Sequence, residues 1–151
     1  MVGSTLVVRD LTAPNPQVVA GMAVAFAELA AQYPSGFSLL YITGPSETGE
    51  LPDEASRKAV LQALRDYKGH IKAIGYVVLL RGILAATMRS VGSALLYAAR
   101  IPFPTRIFGD LDEGVSWMVE TTERMGVASP DPVELTGTAA AVLGRLNDEP
   151  D

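Results

Sequence analysis

Cysteine is absent from this 151-residue chain. That excludes disulfides, thiolate zinc sites, iron–sulfur clusters and cysteine nucleophiles together. Histidine occurs once, at His70; it follows Gly69 beside Lys68 and Lys72, and reads as an exposed capping residue at a helix end. A histidine base would also need an orienting group, and no spacing in the chain supplies one. Long uninterrupted apolar runs are missing too. The most apolar region, residues 73–99, carries Arg81 and Arg89 and is divided by Gly82, which argues against a membrane span. No basic start leads into an apolar N-terminal run, so no signal peptide is expected and the cytoplasm is the default location.

With 48% hydrophobic and 19% charged residues, the composition is that of one folded domain with a single core. The net charge of -5 conceals an asymmetry. Residues 1–51 hold one basic and four acidic residues, residues 52–106 nine basic and three acidic, and residues 107–151 two basic and ten acidic. Two readings follow. Either the basic middle and the acidic end attract one another across one fold, or the middle presents a basic face to a partner. The overall acidity argues against nucleic-acid binding, which needs many phosphate-neutralising cations.

The pattern along the chain alternates strand and helix. Residues 5–9 form a β-type run ending in Arg9 and Asp10, suited to a sheet edge. Asn15-Pro16 opens a helix with an apolar stripe of Val19, Met22, Phe26, Leu29 and Tyr33. Residues 37–42 are almost continuously apolar, as in a strand covered on both faces. Pro52 opens a second helix with Asp53 and Glu54 in its first turn and a stripe of Ala55, Leu61, Leu64 and Ile71. Residues 73–80 form the third strand, residues 83–99 a helix, and residues 105–108 a fourth strand. Asp110 and Glu113 have capping-box spacing, and Gly126 is placed to end that helix. Asp131-Pro132 begins a last helix with Leu135, Ala139, Val142 and Leu146. The order predicts an α/β fold: a mostly parallel sheet of four or five strands with flanking helices, spanning residues 1–126. Residues 127–151 form an extra C-terminal helix and acidic tail, packed on or extending from that unit.

Residues 37–42, the strand 74–80 and the run Arg106-Ile107-Phe108-Gly109-Asp110-Leu111-Asp112-Glu113-Gly114-Val115-Ser116-Trp117 give the chain a family likeness. It resembles the STAS domain (sulfate transporter and anti-sigma-factor antagonist), in particular its SpoIIAA-like branch. The last run is similar to the family's F-x-D-x-D-E-A ending followed by Trp, with Gly114 where alanine is usual. The likeness spans roughly residues 5–125. It implies a non-catalytic regulatory or protein-interaction module, a homodimer, with docking through the loop 43–52 and the second helix. In switch-type members a phosphorylated serine lies after the second core strand. Ser46 is the nearest counterpart, with Thr48 close by, but the preceding aspartate is absent and Glu47 and Glu50 would repel a phosphate. An exposed loop serine is the plainer account. The branch also resembles SEC14-type lipid binders. The apolar breadth of the 83–99 helix, from Ile83, Ala85, Ala86, Ala94 and Leu96, fits a dimer interface, an apolar-ligand slot or a well-covered helix.

Other motifs have plainer explanations. Gly44 to Gly49 has phosphate-loop glycine spacing, but Glu50-Leu51 stands where a lysine and a hydroxyl are needed. Asp110, Asp112 and Glu113 suggest a cation site, yet capping already calls for acids there. Trp117 and Tyr76 read as core aromatics. Arg57, Lys58, Arg65, Lys68 and Lys72 form a basic ribbon if the second helix persists that far. That ribbon is either a solvated face or a docking surface for an acidic partner. No cofactor is expected. An enzyme is the weaker class, because no acid and base converge by spacing.

Overall fold

The computed structural model describes residues 1–10, 15–43, 53–79, 86, 87, 89, 90, 93, 94, 97 and 99–144. The described elements are β1 (Thr5–Asp10), α1 (Pro16–Gln32), β2 (Phe37–Thr43), α2 (Glu54–Asp66), β3 (Ile71–Val78), β4 (Thr105–Phe108), α3 (Leu111–Arg124) and α4 (Pro132–Gly144). Between β3 and β4, the described residues from 86 to 97 have helical backbone. The sheet is parallel throughout, in the order β1-β2-β3-β4. The two apolar strands lie side by side, with Leu39 opposite Ile74 and Ile42 opposite Val77, and β1 takes one edge as its sequence suggests.

Spatial order follows chain order, so each crossover steps in the same direction, and right-handed connections put successive helices on one face. The packing agrees. α1 and α2 bring Phe26, Leu29, Ala63 and Leu64 onto Phe37, Leu39, Ile71 and Ile74. The opposite face is covered after the last strand, where α3 and α4 set Val115, Met118, Leu135 and Ala139 on Leu40, Ile42, Ala73 and Val77. Successive β2 side chains alternate between the two layers, which is why the run has to be apolar at nearly every position.

Local chemistry sets the boundaries. Asn15 Oδ1 accepts from the N–H groups of Gln17 and Val18, both at 3.0 Å, and Pro16 fills the first turn of α1. Asp110 Oδ1 accepts from Asp112 N (2.9 Å) and Glu113 N (3.1 Å) to open α3, and Gly126 at φ +68° ends it.

Two expectations about α2 are corrected. Asp53 is the N-cap rather than a first-turn residue, so the buried face turns to Ser56, Ala63 and Leu64, and Ala55 is exposed. The helix stops at Asp66, because the Tyr67 carbonyl accepts from both His70 N and Ile71 N and turns the chain into β3. Ile71 and Lys72 are therefore strand residues, and the basic ribbon does not reach Lys72 along a helix. Pairing also skips Lys72: Phe37 lies opposite Ile71 and Ser38 opposite Ala73. His70 is half-buried in this turn, where its carbonyl accepts from Phe37 N at 2.8 Å.

Two buried details generate tests. A Cβ on Gly114 would stand 2.6 Å from Val77 Cγ2, so α3 rests on β3 too closely for the alanine usual in the resembled family. Gly114→Ala is expected to lose about 1–2 kcal/mol from overpacking despite its helix propensity. In denaturant titrations of a double-mutant cycle, Val77→Ala should relieve that loss; additive effects would refute the steric account. Among the described residues, Ser38 Oγ and Thr5 Oγ1 are buried without a partner, whereas buried Ser4 donates to the Ala128 carbonyl at 2.9 Å. Ser4→Ala should cost about 1 kcal/mol and Ser38→Ala near zero or a slight gain in the same titrations.

Candidate functional site

The residues singled out for docking fall on α2 and its flanks. Arg57, Lys58 and Arg65 are exposed on the helix, and Lys68 is exposed in the turn after it. Ser46 and Thr48 lie outside the described residues, as does most of the loop 43–52. Periodicity divides the exposed surface of α2 in two. Glu54, Lys58, Leu61 and Arg65 share one flank; Ala55, Ala59, Gln62 and Asp66 share the other. The second flank, with Val19, Ala20 and Ala23 of α1, lines an open groove of about 780 Å³.

Ion pairing is sparse. Lys58 Nζ meets Glu54 Oε1 at 2.7 Å, an exposed i,i+4 pair, and it is the one salt bridge among the described residues. No ion pair joins the basic middle to the acidic C-terminal third there, so their attraction acts only at a distance. Across solvent it is screened within about 8–10 Å at physiological salt. Arg57, Arg65 and Lys68 make no salt bridge among the described residues, although the Arg57 charge helps lower the Asp53 pKa. Arg9 is different: its Nη1 donates to the carbonyls of Leu143 (2.6 Å) and Val142 (3.2 Å), at the C-terminus of α4 where a cation is favoured.

Asp53 anchors the start of α2. One carboxylate oxygen accepts from Ser56 N at 2.7 Å and the other from Ser56 Oγ at 3.1 Å. These bonds, the backbone one foremost, hold its pKa below the ordinary 3.8. Asp110 is occupied as the cap, and no cluster of three potential ligands occurs among the described residues.

A second concavity, missed in the sequence, lies at the free edge of β4. It encloses about 870 Å³ and is lined by Tyr97, Arg100, Phe103, Thr105, Arg106 and Ile107 among others. At the far end of β4, a Cβ on Gly109 would lie 3.2 Å from Arg89 Nη1, so that guanidinium rests on the turn into α3. The only signal in the sequence was the pair Pro102 and Pro104, which marks a break but not a cleft. On the sheet, Tyr41 and Tyr76 stack with centroids 5.2 Å apart, and Trp117 packs on Phe108 at 5.5 Å. Both are half-buried or buried parts of the packing, as read from the sequence.

Comparison with protein-family models, curated proteins and solved structures finds no significant match. Among the described residues, no helix is long and apolar enough to cross a membrane.

The cap offers a pH test. A lowered folded pKa gives stability that is complete above 3.8 and lost as the pH falls through the folded value. Asp53→Ala should lower the Tm at neutral pH, and its gap from wild type should close in acid. Asp53→Asn should keep most of the cap while flattening this acid dependence. A gap that persists unchanged at acid pH would refute the assignment.

Proposed function

We propose that the chain is a non-catalytic regulatory or protein-interaction module of STAS-like fold, docking an acidic protein partner through α2 and the loop 43–52. The observation that carries this reading is the unneutralised charge on α2. Arg57 and Arg65 on the helix and Lys68 in the turn after it are exposed, and none makes a salt bridge among the described residues. Long basic side chains left unpaired add little to folding. Across an interface the same charges steer encounter and select partners of opposite sign. The loop follows β2 at the carboxyl end of the sheet, where open α/β folds commonly bind. A homodimer built on this basic face would oppose like charges, so self-association is better served by the more apolar groove between α1 and α2.

That groove also favours a second reading, a small apolar ligand or lipid, since alanines and Val19 give it an apolar wall. Solvent extraction of the purified protein followed by mass spectrometry separates the two. Stoichiometric lipid would support the carrier reading.

The docking reading is tested with the double variant Arg65→Glu/Lys68→Glu. A partner captured by wild type is purified, and its affinity is measured across a salt series. The variant should bind about tenfold or more weakly, with a shallower salt dependence. Equal affinity and an equal salt slope would remove α2 from the interface.

A further inference from the structure

The structure assigns a second recognition surface, independent of α2: the free edge of β4 accepts an extended acidic peptide segment as an added strand. β4 is the terminal strand of the sheet, paired only with β3 among the described residues. The phase of that pairing is fixed by the bond from Ile74 N to the Pro104 carbonyl at 2.9 Å. In a parallel ladder, Arg106 then gives both its N–H and its C=O to β3, so the backbone groups of Thr105 and Ile107 point outward. Such unpaired groups are a template for another strand.

The surroundings choose the occupant. Thr105 and Ile107 open onto the 870 Å³ cleft with Tyr97, Phe103 and Arg100. Arg106 stands at the rim of the cleft, its guanidinium turned toward Phe108 at 5.2 Å from the ring centroid, and it is exposed. Among the described residues, neither Arg100 nor Arg106 has a salt-bridge partner, and no acidic residue lines the cleft. Arg100 also holds φ at +47°, alone among described residues other than glycine. That conformation costs about 1–2 kcal/mol for a residue with a side chain, an expense often kept at functional positions. Asp110, the acid that follows β4, is engaged as the N-cap of α3.

An added strand presents alternate side chains to the two faces. The matching sequence therefore alternates an acid, set against Arg106, with an apolar residue, set in the cleft beside Thr105 and Ile107. A second copy is a poor occupant, because antiparallel pairing of two β4 edges would set arginine against arginine.

The probe is a blocked heptapeptide of alternating Glu and Val, titrated into the intact protein with amide hydrogen exchange and fluorescence anisotropy as readouts. The Thr105 and Ile107 amides should exchange freely without the peptide and become protected with it. Arg100→Glu/Arg106→Glu should weaken binding about tenfold or more, and the same double variant should gain affinity for a Lys-Val heptapeptide. A backbone N-methylated Glu-Val peptide should fail to bind. The proposal is overturned by any of three results: no protection at millimolar peptide, equal binding of the N-methylated peptide, or protection that rises with protein concentration alone. The last result would mark β4 as a self-association edge. Because the variants leave α2 untouched, failure here is distinct from failure of docking on the second helix.

Discussion

The constraint on which the structure depends is the burial of β2 on both faces. Phe37, Leu39, Leu40 and Ile42 are all fully inaccessible. Each such side chain is worth about 1.5–3 kcal/mol relative to exposure. The net stability of a whole domain is only about 5–15 kcal/mol, so no arrangement that uncovers this strand on one side can compete. β2 therefore needs a strand at each edge and a helical layer on each face. Parallel neighbours supply the first, and their crossovers supply one of the two layers. The second layer has to come from the end of the chain, which makes α3 and α4 a structural requirement. Leu135 and Ala139 of α4 are as buried as the strands they cover.

Winding in one direction has a consequence for recognition. In α/β sheets that reverse direction, the crevice between oppositely directed crossovers falls in the middle. Here α1 and α2 stay on one face, and the switch of sides comes only when β4 feeds α3. The place where connections diverge is thus pushed to the β4 end of the sheet. That is where Arg89 rests on Gly109, and where Arg100 and Arg106 border an open cleft. Topology and charge converge on the same margin.

Much of the frame was legible because its signals are local. Asn15-Pro16 and Asp110 announce helix starts through side-chain acceptors two or three residues away, and Gly126 ends a helix through its own backbone. The unbroken apolar run at 37–42 needs only the rule that doubly covered strands have no polar side. The misreadings concern relations between elements. Whether Ala55 or Ser56 faces inward depends on where α1 lies, and apolar spacing alone fits either choice. Whether α2 reaches Lys72 depends on the turn built by Tyr67 and His70 against Phe37, a contact more than thirty residues distant. Arg9 looked like the ragged end of an edge strand; its role at the end of α4 spans nearly the whole chain. The β4 cleft arises from three segments and has no sequence pattern of its own.

Electrostatics bears on the two ways of reading the charge asymmetry. Had the basic middle and acidic end neutralised one another, the fold would show ion pairs between β4 or α2 and α3 or α4. Among the described residues the one salt bridge joins neighbours on a single helix turn. The acids of α3 and α4 include Asp112, Glu113, Glu120, Glu123 and Glu134, all exposed, on the face opposite α1 and α2. Exposed cations on α2 and β4 thus close no salt bridge to these acids among the described residues, although Glu54 and Asp66 share α2 with Arg57, Lys58 and Arg65. A molecule of this kind carries a field that orients an approaching partner before contact. It also discourages pairing of its basic surface with itself, because a two-fold axis there brings identical cations together. The same net charge of -5 that argues against binding nucleic acid therefore coexists with exposed basic side chains on α2 and β4.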